Sequence, residues 1–192
     1  MAAFDVNASA LEETVKYVQA KKPEAKIIHR VCNVTDVTSV QTAVEEVAQE
    51  FAEIHLLWNN AGYQGQIKPT LEYDINDFGL VMNINVTGMF AVLQAVAKKM
   101  EAQGKKESTY SIVNTSSVAG LRGTPAMVAY ASSKAAVLAM TVSTSKDLAP
   151  YGIRVNAVSP ALIGPGYMWD RQNELHASSG SPYCKSLAHT FL

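Results

Sequence analysis

Ser117, Tyr130 and Lys134 stand at spacings that suit one another: thirteen residues separate the serine from the tyrosine and four the tyrosine from the lysine. On a helix, residues i and i+4 share a face, about 5–6 Å apart at Cβ, so the phenol and the ammonium are neighbours. A phenol titrates near a pKa of about 10 and an adjacent ammonium favours its phenolate. Tyr130 can then take a proton from an alcohol as general base, or return one as general acid. Ser117 would hydrogen-bond the same oxygen and stabilise the charge that develops on it. The Tyr-x-x-x-Lys pattern alone is weak, because Tyr17 and Lys21 repeat it with Phe4, not serine, thirteen positions earlier. That second copy reads as a solvated helix face.

These residues need elements to hold them. Val40, Val44, Val47 and Phe51 recur with helical period, which predicts an amphipathic helix. Short apolar runs flank it at Ile27–Cys32 and Ile54–Trp58, each too short for a helix, and both read as buried strands. The alternation extends in both directions. Upstream lie a strand tail at Ala2–Phe4 and a helix from about Ala8 to Ala20. Downstream come a helix from about Asp77 to Met100, a strand at Tyr110–Asn114, a helix from about Ala126 to Leu148 and a strand at Ile153–Val158. Strands alternating with helices imply right-handed βαβ units: an α/β, doubly wound parallel sheet of Rossmann-like type. In such sheets ligands bind beyond the carboxyl ends of the strands. Ser117 follows one such strand, and Asn59-Asn60-Ala61-Gly62 follows another, where small residues let backbone approach a flat ligand; alone, that stretch equals an ordinary turn.

Composition narrows the function classes. The chain has 192 residues, 48% hydrophobic and 17% charged, with sixteen Lys and Arg against seventeen Asp and Glu. No positive excess is present to neutralise phosphates, which argues against nucleic acid and anionic membrane surfaces as partners. No apolar run approaches the ~18 residues of a membrane span and the first residues lack a signal pattern, so the expected compartment is the cytoplasm. Cys32 and Cys184 have no partner at ligand spacing, and no metal is expected. Residues 1–172 form the expected dinucleotide-binding and catalytic domain. After about Gln172 the composition shifts towards Ser, Gly and Pro, and residues 173–192 read as a divergent, disordered tail.

Five stretches occur in order: Asn59-Asn60-Ala61-Gly62, Ile84-Asn85-Val86-Thr87-Gly88, Ile112-Val113-Asn114-Thr115-Ser116-Ser117, Tyr130-Ala131-Ser132-Ser133-Lys134 and Ile153 to Pro160. Together they resemble the classical short-chain dehydrogenase/reductases over roughly residues 1 to 173. Tyr63-Gln64-Gly65 and Gly164 to Trp169 look like the NAD-dependent polyol (xylitol) dehydrogenase branch. The resemblance implies a tetrad: Asn85 holding a proton-relaying water, Ser117 orienting the substrate oxygen, Tyr130 as acid/base, and Lys134 lowering the tyrosine pKa while binding the nicotinamide ribose. It also implies cofactor contacts at Asp5 on the adenosine ribose, Asn33 and Val34 at the adenine, Asn60, Ala61 and Gly62 along the channel, and Pro160 and Ile163 near the carboxamide. A carboxylate at Asp5 repels a 2′-phosphate, which favours NAD over NADP. The implied reaction interconverts a small secondary alcohol, such as xylitol, and its ketone. The runner-up is a 3-oxoacyl-carrier-protein reductase-like ketone reductase. The family pattern further implies a homo-tetramer packed through the helices bearing Asn85 and Tyr130, where Ala135, Ala136, Val137 and Ala139 are small, although burial within one subunit explains them equally.

Two departures stand out. The glycine-rich phosphate loop should lie ~20 residues before its acidic partner, yet the first glycine in this chain is Gly62. The first strand and the loop are therefore expected to be missing, which opens the sheet between two edges. The last strand and helices of the family have no counterpart after Gln172, so a catalytically inactive fragment is the alternative reading.

Overall fold

In the computed structural model, which describes residues 1–104, 110–161, 163–164 and 167–178, strands and helices alternate as the periodicity predicts. Strand β1 (Ala2–Asp5) leads into α1 (Ala8–Lys21), where Asn7 Oδ1 accepts from the Ala10 N–H at 3.1 Å and so caps the first turn. Strand β2 (Ile28–Val31) precedes α2 (Val37–Phe51), capped by the Asp36 carboxylate, which accepts from the Thr38 and Ser39 N–H groups. After β3 (Leu56–Asn59), α3 (Ile75–Met82) runs through a π-helical segment, Asn83–Gly88, into α4 (Met89–Ala102). Then come β4 (Tyr110–Thr115), the short α5 (Ala119–Arg122), α6 (Val128–Leu148), β5 (Ile153–Val158) and α7 (Tyr167–Ser178).

Among the described residues all pairing is parallel, and the sheet comes in two pieces. β1 pairs with β2, Ala2 opposite Ile28, while β3, β4 and β5 form a second set in that order, with Leu56 opposite Ser111 and Tyr110 opposite Ile153. One core joins the pieces. Cys32 and the inward faces of α2 (Val40, Ala43, Val44) and α4 (Val92, Leu93, Val96, Met100) pack with Tyr110, Ile112, Ile153 and Val155, and Phe4 and Leu57 rest against the same cluster. The fold is thus α/β and Rossmann-like, with its sheet divided between β1 and β3.

Several boundaries differ from the periodic reading. The single helix expected over 77–100 runs from 75 to 102 and is interrupted by the π segment, because apolar spacing alone does not show a one-residue insertion. This stretch is apolar enough to cross a membrane by length and composition. Here Val81, Met89, Val92, Leu93 and Met100 are buried inside the protein, as in a core helix. Ala126, expected as the start of α6, has φ of 62° and lies before the helix. The helix α7 reaches Ser178, so residues 173–178, expected to be loop, are helical. Glu174, Leu175 and Ala177 are good helix formers whose propensity the Ser- and Gly-rich stretch after them obscures. The remainder of the expected tail, 179–192, lies outside the described residues.

Candidate active site

The carboxyl end of β4 and the first half of α6 form one side of the site. Ser117 lies just past β4, and the turn is fixed from two directions: the Ser116 N–H donates to the Val158 carbonyl at 2.8 Å and the Val118 N–H to the Pro160 carbonyl at 3.0 Å. Ser116 Oγ donates to the Lys134 carbonyl at 2.7 Å, which ties the same turn to α6. Gly120 makes this closeness possible. A Cβ there would stand 2.5 Å from the Lys134 carbonyl carbon and 2.7 Å from the Ala135 nitrogen. The result places the Ser117 hydroxyl on the side of the Tyr130 phenol, close enough to lower its pKa.

Lys134 is buried, with 3% of its surface exposed. Its Nζ donates to the Thr115 carbonyl at 2.8 Å and lies 5.5 Å from the centre of the Tyr130 ring. Burial pulls the ammonium down to about 8 from its ordinary value. Tyr130 moves in the direction opposite to the expected one: burial raises its pKa, and the Ser117 hydrogen bond only partly opposes this. Desolvation of a phenolate therefore outweighs what the spacing to Lys134 supplies. Tyr17, the other tyrosine with a lysine at i+4, is 66% exposed, as expected of a solvated face.

Asn85 is fully buried in the π segment. Its Oδ1 accepts from the Tyr63 N–H at 2.6 Å, and its Nδ2 donates to the Tyr63 carbonyl at 2.8 Å and to Ser133 Oγ at 3.0 Å. Both amide donors are committed to protein, so the side chain acts as a brace between the loop after β3 and α6. Gly62 closes the arrangement, since a Cβ there would lie 3.4 Å from Asn85 Oδ1 and 3.5 Å from Lys134 Nζ. The loop beyond is held by Asp77, buried at the start of α3, whose carboxylate accepts from Tyr73 Oη at 2.7 Å, the Gln66 N–H at 2.9 Å and Tyr63 Oη at 3.2 Å. Burial and the Asp77 carboxylate push Tyr73 far above the usual phenol range. Sequence reasoning missed Thr115, Ser133 and Asp77. Ser133, three residues after Tyr130 and so on its helical face, carried a signal; Thr115 acts on Lys134 from 19 residues away, and Asp77 joins its near neighbour Tyr73 to Gln66 and Tyr63 earlier in the loop.

The expected cofactor residues occupy the carboxyl ends of β1, β2 and β3 and the loop after β5. Asp5 is exposed and one carboxylate oxygen accepts from the Asn7 N–H at 2.9 Å. Asn33 is exposed, and its Oδ1 accepts from the Thr35 N–H at 3.1 Å and from Thr35 Oγ1 at 2.9 Å, so its acceptor is already engaged locally. Val34 packs toward Gly88, where an added Cβ would meet its side chain at 2.7 Å. Asn60, Ala61 and Gly62 are exposed, Pro160 is half-buried and Ile163 is 69% exposed.

Comparison with known proteins agrees with this geometry. The family model for short chain dehydrogenase matches residues 1–175. L-2,3-butanediol dehydrogenase of Corynebacterium glutamicum is 34% identical over 171 residues, covering 88% of this chain and 64% of that enzyme. 3-oxoacyl-[acyl-carrier-protein] reductase of Thermotoga maritima is 38% identical over 161 residues, covering 84% of this chain and 63% of the relative. The crystal structure of NAD+-bound xylitol dehydrogenase superimposes with a TM-score of 0.88 at 46% identity, over 95% of this chain and 68% of that one. The chain spans a little under two thirds of the length of the curated relatives. With the family model matched over most of its length and Ser117, Tyr130 and Lys134 gathered at the end of β4, the chain belongs to the short chain dehydrogenase family of oxidoreductases.

Proposed function

We propose that the site interconverts a small secondary alcohol, a polyol such as xylitol, and its ketone, with NAD as hydride carrier and Tyr130 as the acid/base. The observation that carries this reading is the buried Lys134 ammonium 5.5 Å from the Tyr130 ring, with Ser117 beside the phenol at the end of β4. Two hydroxyls meeting at one point can bind a single substrate oxygen. A raised phenol pKa keeps Tyr130 protonated near neutral pH, so the resting site is set to donate a proton to a ketone oxygen, with Ser117 donating a second hydrogen bond to it. In the alcohol direction Tyr130 must first lose that proton, which higher pH favours.

The residues present suit the two ends of a dinucleotide. Asp5 keeps an oxygen for ribose hydroxyls, and a carboxylate there disfavours a 2′-phosphate. Gly62 leaves the space beside Lys134 and Asn85 that a Cβ would fill; Lys134 would hold the nicotinamide ribose there, and Pro160 and Ile163 would border the carboxamide. Asn33, Val34, Asn60 and Ala61 would border the adenine and the channel. When bound, the nicotinamide supplies the hydride acceptor or donor that no side chain provides. The side chain of Asn85 is engaged by Tyr63 and Ser133, so in this site it braces the loop and would not itself offer a free donor to a proton-relaying water.

The experiment is turnover of the purified chain with NAD and xylitol or 2,3-butanediol, followed by NADH absorbance. Tyr130→Phe should lower kcat by roughly 10²–10⁴ while NAD affinity stays within about twofold. Undiminished turnover in the variant would remove Tyr130 from the chemistry, and no turnover in the parent chain would favour an inactive chain. The similarity to the 3-oxoacyl reductase supports a second reading, reduction of a 3-oxoacyl thioester. A preference for that substrate with NADPH would replace the first. For quaternary structure, a homo-tetramer is the proposal: Ala135, Ala139, Val142, Leu80 and Phe90 are exposed along α3, α4 and α6. Val137 is fully buried in its own subunit and drops out of the expected interface.

A further inference from the structure

The segment after Gly62 is packed more tightly than a simple connection requires. Gln64, Gly65 and Ile67 are buried, and Gln64 Oε1 has no hydrogen-bond partner among the described residues. A buried oxygen without a donor is costly, and a loosely held loop would turn it out to water. Residues 63–68 stay inward because they are tied down at Tyr63, at Gln66 and at Lys68.

The first tie is the Asn85 amide, which grips the N–H and the carbonyl of Tyr63. The second is Asp77, only 8% exposed. Its Oδ2 accepts from the Gln66 N–H at 2.9 Å and from Tyr73 Oη at 2.7 Å, while Oδ1 accepts from Tyr63 Oη at 3.2 Å. Gly65, with φ of 75°, lets the chain lie directly on this group: a Cβ there would stand 2.6 Å from Tyr73 Oη and 2.9 Å from Asp77 Oδ2. The third tie is the Lys68 N–H, which donates to the Ala126 carbonyl at 2.8 Å.

At Ala126 the loop meets the helix that carries the acid/base. Ala126 has φ of 62°, a left-handed conformation that a residue with a Cβ adopts at a cost and keeps only where its surroundings hold it. The bond from Lys68 supplies that hold. Next in the chain, Met127 is buried and its carbonyl accepts from the Ala131 N–H at 2.9 Å, closing the first turn of α6 around Tyr130. At the far end of the same turn, Ser133 Oγ accepts from Asn85 Nδ2 at 3.0 Å and donates to the Tyr130 carbonyl at 2.8 Å. One loop therefore holds the Tyr130 turn from both ends, and Asp77 holds the middle of that loop.

We propose, resting on the reading of Tyr130 as the acid/base, that Asp77 is a positioning residue for it: the Asp77 side chain fixes residues 63–68 between Asn85 and Ala126 and so sets the position of the Tyr130 turn. The role needs acceptors and shape. An amide serves the same partners, with Oδ1 accepting from the Gln66 N–H and Tyr73 Oη while Nδ2 donates to Tyr63 Oη, since a phenol accepts as well as donates.

The test compares Asp77→Leu, which fills the space without acceptors, with Asp77→Asn. Amide hydrogen exchange is read by NMR at Gln66, Lys68 and Ala131, the donors along this route, and at Ile112 and Val155 in the sheet. In Asp77→Leu exchange should be roughly tenfold or more faster at the three donors and within about threefold of the parent in the sheet, and Asp77→Asn should restore all of them to within about threefold. In steady-state kinetics kcat should fall roughly tenfold or more in Asp77→Leu with KM within about threefold, and return to within about threefold of the parent in Asp77→Asn. If Asp77→Leu does not fold, Tyr63→Phe, which deletes one of the two loop bonds to Asp77, must show the same pattern at roughly threefold or more. Faster exchange at Gln66 alone, faster exchange throughout the sheet, an asparagine variant as impaired as the leucine variant, or an unchanged kcat would each overturn the proposal. Should the parent chain show no turnover, the acid/base reading fails and exchange alone decides whether Asp77 holds the turn.

Discussion

Asn85 grips both polar groups of Tyr63, accepting from its N–H at 2.6 Å and donating to its carbonyl at 2.8 Å, across 22 residues of sequence. The pairing resembles one rung of a sheet made by a side chain, and it holds the loop after β3 against α6 through the additional bond to Ser133.

Asn85→Ala should therefore destabilise the chain by about 2–3 kcal/mol, the cost of leaving buried polar groups of Tyr63 and Ser133 without partners. Urea denaturation followed by circular dichroism measures it. A loss below about 0.5 kcal/mol would mean that water replaces the amide.

Gly120→Ala tests how the serine is aimed. The added methyl meets the backbone of Lys134 at 2.5 Å, and main chain cannot step aside as a side chain can. The expected cost is about 1–3 kcal/mol, with α5 pushed off α6. Catalysis should fall further than stability explains, because the shift also moves Ser117. An unchanged melting temperature would show that α5 is not held by this contact.

The buried Lys134 makes stability depend on pH with a definite sign. Its folded pKa of about 8 lies below the ordinary 10.5. Between these values the unfolded chain binds the extra proton, so its contribution to stability rises with pH through this window and is lost as pH falls through about 8. Tyr130 and Cys32, both raised by burial, act in the opposite sense at higher pH. Comparison with Lys134→Met isolates the lysine: from about pH 7 to about pH 9.5 the parent should gain about 2 kcal/mol relative to the variant. Parallel pH profiles would show that the amine is not desolvated in solution.

Tyr130 gives the reaction directions opposite pH dependence. Alcohol oxidation needs the phenolate and should climb with pH; ketone reduction needs the phenol and should decline along the same titration. Initial rates in both directions between about pH 6 and about pH 10 provide the check. A rise in both directions would assign the proton transfer to a different group.

Much of this was legible in the chain itself. Helical period at Val40, Val44 and Val47 and the short apolar runs on either side gave the alternation, since burial of one face dictates which positions must be apolar. The spacing of Tyr130 and Lys134 was equally local, because four residues on a helix fix a neighbour regardless of the rest of the fold.

The sequence by itself thus determined the α/β class, the helix that carries Tyr130 and Lys134, and the loop position of Ser117, all set by period and short-range geometry. Tertiary structure alone decided the rest. It reversed the expected direction of the Tyr130 pKa, because desolvation depends on what every surrounding element excludes from the site. It turned Asn85 into a brace for Tyr63, 22 residues away, and let Asp77 hold Tyr63, 14 residues away, as well as its near neighbour Tyr73. And it set the register on either side of the opening in the sheet, itself expected from the sequence, with Ala2 opposite Ile28 and Leu56 opposite Ser111, because register is settled by which strand edges meet in space.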